Sequence, residues 1–183
     1  HHDCGCEAAE MNFVINCSQT ALINASFHAL ASCDSKACAD HESACYRDYL
    51  IVQSHHDYCL HDDLPSVIEK EFHTYEEMCG EGCHISRVYQ DTLPDCPAPI
   101  CNNAASILAD MMYVNSSCLG DCSTTQCAEA FRRLVAHHDG CDHEDVLEEV
   151  ETGLHDVEEF CEASSCNSGV KGANPNECHD DDH

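Results

Sequence analysis

Apolar residues recur along most of this chain at spacings of three and four, the period of an α-helix with one buried face. Ile23, Phe27 and Leu30 stand at i, i+4 and i+7, and Ile107, Met111 and Val114 repeat the spacing. Each set predicts a first helix, ahead of Cys33 and Cys118. Cys45, Tyr49 and Val52, then Cys127, Phe131 and Leu134, predict a second. Ile68, Phe72, Tyr75 and Cys79, with Val150, Leu154, Val157 and Cys161, predict a third. Asp62 or Asp63 is the expected N-cap of that helix in the first half, with Pro65 in its first turn. Glycine and proline gather at Gly80-Glu81-Gly82, from Pro94 to Pro99 and from Gly169 to Pro175. The pattern therefore predicts an all-α protein of two tandem, disulfide-rich three-helix repeats, at 13–97 and 98–179. A His/Cys segment at 1–12 precedes them and an acidic His tail at 180–183 follows.

The two halves also match residue by residue, which makes an internal duplication the expected origin. At an offset of 82, Cys45 to Cys79 lies on Cys127 to Cys161 without a gap, with twelve identities in 35 columns. Every identity is Cys, His, Asp or Glu. The apolar positions have drifted among apolar types, Tyr49 to Phe131, Val52 to Leu134 and Phe72 to Leu154. Packing tolerates such exchanges, whereas coordination chemistry does not. With small slips Cys17 matches Cys101, Cys33 matches Cys118, Cys38 matches Cys122, Cys83 matches Cys166 and Cys96 matches Cys178. Each repeat would then hold eight cysteines in four disulfides of shared connectivity. Cys4 and Cys6 remain over, to pair with each other, with another chain or with a metal.

Composition decides what can hold such helices together. Leu, Ile, Val and Phe supply only 33 of 183 residues and the formal net charge is −28, a balance that normally prevents a chain from burying a core. Eighteen cysteines reverse that expectation, because each disulfide removes about 2–4 kcal/mol of unfolded-state freedom. Persistent disulfides place the chain in an oxidising compartment, and its start at His1 predicts a processed, secreted, extracellular protein. The sequons at Asn16, Asn24 and Asn115 predict glycosylation on the same route. Seven Lys plus Arg against 35 Asp plus Glu argue against nucleic-acid binding, and no apolar run predicts membrane insertion.

The matched histidines carry the candidate chemistry. Each repeat spells His-His-Asp-x-Cys-x-His-x-Asp: His55, His56, Asp57, His61 and Asp63, then His137, His138, Asp139, His143 and Asp145. Imidazole nitrogen and carboxylate oxygen from the end of one helix and the start of the next suit zinc or copper, and calcium less well. The competing structural reading is that these histidines cap helix ends. A further set lies along the third helix, where Glu69, His73 and Glu77 beside Glu76 are repeated as Glu151, His155 and Glu159 beside Glu158. Three helical turns, roughly 15 Å, part His73 from His61, so the two groups are not expected to share an ion within one repeat. His1, His2, His179 and His183 form similar His/Asp ends that metal, a disulfide or a neighbouring chain would order. The sequence contains no nucleophile elbow, metalloprotease helix, phosphate loop or EF-hand. The expected function is accordingly non-enzymatic, divalent metal binding outside the cell. The alternative is a structural subunit that assembles with itself, head to tail, into an extracellular filament or matrix.

Overall fold

The computed structural model of the chain describes residues 3–80, 82–161, 165–167 and 169–179, apart from the side chains of His61, His143 and Glu159. Among these residues there are eight α-helices and no β-strand. The six helices expected from periodicity are α2 (Thr20–Ala29), α4 (Ala44–Tyr58), α5 (Ser66–Cys79), α6 (Ala104–Ser117), α7 (Thr125–Gly140) and α8 (Glu148–Cys161). Two short helices, α1 (Cys4–Met11) and α3 (Ser35–Ala39), have too few large apolar residues to show a stripe. Local polar groups define them instead. Asp3 Oδ1 accepts from Gly5 N (2.8 Å) and Asp34 Oδ1 from Ala37 N (2.7 Å), each satisfying an N–H that a helix start leaves open. Arg47 on α4 then donates to Met11 O (2.9 Å) and Asn12 O (3.1 Å), closing the other end of α1. The expected cap on α5 is absent: Asp62 and Asp63 lie in a 3₁₀ turn (His61–Asp63), and the N-cap position is Pro65, without a side-chain bond.

The chain forms two compact units, His1–Val88 with Gly172–His183 and Tyr89–Lys171. The break thus falls at 88/89 rather than 97/98, and the residues from 172 onward belong with the first unit. In that unit the apolar stripes of α2, α4 and α5 converge, burying Ile23, Phe27, Leu30, Tyr49, Leu50, Ile51, Val52, Ile68 and Phe72. The second buries Ile107, Val114, Phe131, Leu134, Val150, Leu154 and Val157 from α6, α7 and α8. At roughly 1.5–3 kcal/mol for each fully buried large apolar side chain, these small cores need the covalent support they receive. Arg133 on α7 adds a forked ion pair with Asp110 on α6, both N–O distances being 2.8 Å.

All eighteen cysteines are paired. Cys17–Cys59, Cys33–Cys45 and Cys38–Cys79 in the first unit correspond to Cys101–Cys141, Cys118–Cys127 and Cys122–Cys161 in the second. The fourth pair corrects the sequence alignment. Cys4 bonds to Cys83 and Cys96 bonds to Cys166, so by disulfide position Cys96 corresponds to Cys4 and not to Cys178. A single parallel backbone bridge lies beside each, Asp3 with His84 and Asp95 with Asn167. The pair left over is Cys6–Cys178, which fastens the C-terminal segment to α1. Asn176 reinforces this by accepting from Ile15 N (2.7 Å) and donating to Ile15 O (3.1 Å), as a neighbouring strand would. The segment passes so close to Gly5 that any Cβ there would collide with Glu177 O, which explains the glycine of the Cys-Gly-Cys triplet. The chain's own Cys6–Cys178 disulfide thus joins the two terminal segments.

Candidate metal centre

In the first unit α4 ends at Tyr58, the chain turns through the 3₁₀ segment, and α5 packs back against α4. His56, in the last turn of α4, is buried, with its ring against Phe72 (4.8 Å between centroids) and edge-on to His73 (5.7 Å), both on α5. Its Nδ1 lies 3.0 Å from Oδ1 of Asp57. Asp57 is steadied in turn by Gln53, one turn back, whose Nε2 donates to Asp57 Oδ2 (2.5 Å) and Cys83 O (2.9 Å) while Oε1 accepts from Cys83 N (2.8 Å). Glu76 completes the group. Ligand atoms from His56, Asp57 and Glu76 all lie within 4.8 Å of one another. A tetrahedral zinc ion, with bonds near 2.0–2.1 Å, holds its ligand atoms about 3.3 Å apart, so modest side-chain rotation would close the three around one ion. His73 stands beside them, its Nδ1 3.7 Å from Glu76 Oε1.

The charge of the cluster favours a cation. Burial alone would depress the basicity of His56, but its bond to Asp57 and the fields of Glu69, Asp57 and Glu76 outweigh that, lifting its pKa to about 9. One imidazolium against these three carboxylates still leaves the group net negative. A dication that displaced the ring proton would bring one further positive charge.

The second unit repeats the pairwise contacts of this arrangement, although His138, Asp139 and Glu158 do not form a candidate group of ligand atoms within 4.8 Å among the described residues. His138 Nδ1 is 2.9 Å from Asp139 Oδ1, and its Nε2 is 3.7 Å from Glu151 Oε1. Its ring meets that of His155 edge-on at 6.2 Å, and His155 Nδ1 lies 3.5 Å from Glu158 Oε2. Burial again works against the charged ring. The bond to Asp139, together with Asp139, Glu151 and Glu158, raises its pKa to about 10.

Several expected site residues fall elsewhere. His55 is fully buried, with Nδ1 donating to Ile51 O (2.6 Å) and Nε2 accepting from Asn16 N (3.0 Å). His137 likewise donates through Nδ1 to Ile100 O (2.6 Å) and accepts at Nε2 from Leu147 N (3.1 Å). Both rings use both nitrogens, so they have no lone pair to offer an ion and act as structural ties. Asp63 and Asp145 are exposed in their 3₁₀ turns, and no candidate group among the described residues includes them. Glu77 points to solvent, and its neighbour Glu76 takes the inward place. His179 is exposed, 3.7 Å from Glu177. His1, His2 and His183, and the side chains of His61, His143 and Glu159, lie outside the described residues.

The expected separation of His73 from the His-His-Asp motif is corrected as well. The separation along α5 applies to His61, whereas the cluster centres on His56, whose ring lies 5.7 Å from that of His73. Glu76 was legible in principle. At about 100° per residue, Glu76 lies nearer than Glu77 to the stripe of Ile68, Phe72 and Tyr75. Gln53 had no signal at all, since Val135 stands at the matching place. No protein-family model, curated protein sequence or solved structure matches the chain. What can be stated is a small, all-helical protein with nine disulfides, containing His, Asp and Glu groups with the geometry to hold a metal ion.

Proposed function

We propose that this chain is a non-enzymatic, secreted protein that binds divalent metal, zinc or copper in preference to calcium. One ion is held at His56, Asp57 and Glu76, and a second at His138 with Asp139, Glu151 and Glu158. The observation that carries the reading is the convergence of three ligand atoms from α4 and α5 within 4.8 Å. Reuse of the same residue types at matching positions supports two equivalent sites in units descended from one duplicated ancestor. The paired cysteines support an oxidising, extracellular setting.

Desalted protein should carry two zinc or copper ions per chain by elemental analysis. A His56→Ala variant should lose one and a His56→Ala, His138→Ala double variant both, while a His55→Ala variant that folds should keep its metal. Because the ion displaces a raised imidazole proton, affinity should increase about tenfold per pH unit from pH 6 towards 9. An affinity independent of pH would exclude the imidazoles as ligands, and metal-free native protein that takes up neither ion would overturn the proposal.

A further inference from the structure

The three sequons differ sharply in where the fold puts them. Asn16 is exposed in the non-helical segment between α1 and α2, where its Oδ1 accepts from both Ser18 N (3.0 Å) and Ser18 Oγ (2.7 Å). Asparagine and hydroxyl therefore face each other in an Asx turn at the surface. Asn115 is exposed in the last turn of α6, and Ser116 and Ser117 beyond it are exposed too. A helix end opens at little cost, so this sequon can also be presented in extended form. Asn24 lies in the middle of α2, half-buried. Its partner Ser26 is 3% exposed, with its hydroxyl bonded to the Asp48 carboxylate of α4. Asn24 is itself held half-buried within the helix, so neither member of this sequon is presented at the surface as Asn16 and Ser18 are.

We infer that the folded, secreted protein carries N-linked glycans on Asn16 and Asn115 and none on Asn24, which rests on the extracellular reading above. In the transfer, Asn Nδ2 forms a bond to the anomeric carbon of an oligosaccharide carried on a polyisoprenoid diphosphate. The bond from that carbon to the diphosphate oxygen breaks, Nδ2 gives up one proton, and the lipid diphosphate leaves. The order of synthesis favours Asn16. Its neighbour Cys17 pairs with Cys59, 42 residues downstream, so Asn16 is accessible before that disulfide can close over the turn. In the folded chain Asn24 is held in the middle of α2 and the Ser26 hydroxyl is buried, so this sequon is not offered in extended form.

The experiment is secretion of the full chain from a eukaryotic cell behind a leader peptide. Enzymatic deglycosylation in heavy-oxygen water and peptide mass spectrometry then mark each released site as labelled aspartate. Label is expected at Asn16 and Asn115, with Asn24 still asparagine. Asn16→Gln and Asn115→Gln should each remove one glycan from the intact mass, and Asn24→Gln should leave it unchanged. Label at Asn24, or a secreted and fully disulfide-bonded protein without glycan at Asn16 or Asn115, would overturn the inference. So would a chain that stays inside the cell unglycosylated. Metal counted on the same material reports the binding sites separately, so failure of one reading is distinguishable from failure of the other.

Discussion

Pro65 and Leu147 stand at matching places ahead of α5 and α8, and one backbone N–H separates them. Leu147 N donates to His137 Nε2, but proline has no N–H to give, and His55 Nε2 takes Asn16 N instead. The two rings are tied to different segments by the same chemistry, whereas His56 and His138, one residue on, each keep an aspartate at Nδ1 and a histidine ring edge-on. Neighbouring histidines thus have opposite linkage to pH. Burial holds His55 below its ordinary pKa, against weaker support from its bonds to Ile51 and Asn16, so its contribution to stability is present above pH 6.5 and is lost as acid protonates it. His56 and His138 are raised to about 9 and about 10. Their contribution is complete below pH 6.5 and disappears as pH rises through those values. Metal-free protein should therefore lose thermal stability between pH 7 and 10, by on the order of 5 °C or more. A His56→Gln, His138→Gln variant should show a flat alkaline limb, and an unchanged slope would mean that these rings are neutral in the fold. His55→Ala should cost about 2–4 kcal/mol in denaturant unfolding, through lost packing and two open hydrogen bonds.

The pairing of α4 with α5 is where core and candidate centre meet. Phe72 is fully buried between Tyr49 (5.7 Å between centroids) and the His56 ring (4.8 Å), so it packs the core and seats the ligand at once. Phe72→Ala should destabilise the protein by about 3–5 kcal/mol and weaken metal binding with it. Phe72→Leu, which installs the residue that the second unit uses at 154, should cost about 1 kcal/mol and preserve binding. Equal losses in the two variants, measured by denaturant unfolding with disulfides intact, would mean that ring stacking rather than volume matters there. Tyr49 adds a second lock on the helix pair, its hydroxyl donating to Gly80 O (2.6 Å) just beyond α5.

The whole chain leaves its first unit at Val88, builds the second, and returns at Gly172. Cys6–Cys178, the disulfide without a counterpart, fastens the returning segment, and Lys171 at the turn is well exposed. Limited trypsin should cut after Lys171, yet the 172–183 peptide should stay attached under non-reducing conditions. A Cys6→Ser, Cys178→Ser variant should release it while retaining its metal. Loss of metal on release would show that the C-terminal segment reaches the binding sites.

Helical periodicity is a local property, and burial of one face imprints it on residues a few places apart. That is why Ile23-Phe27-Leu30 and the five similar sets announced α2, α4, α5, α6, α7 and α8. The matching of Cys, His and acids put forward His56, His73, Glu76 and Glu77, with their partners, as candidate ligands. Short α1 and α3 were silent because their order comes from caps and cross-links and not from a stripe. The pairing of Cys4 with Cys83 and the tie of His55 to Asn16 N both turn on distances between segments remote along the chain. No spacing encodes those distances; they exist once α5 has packed on α4 and Pro65 has withheld an N–H.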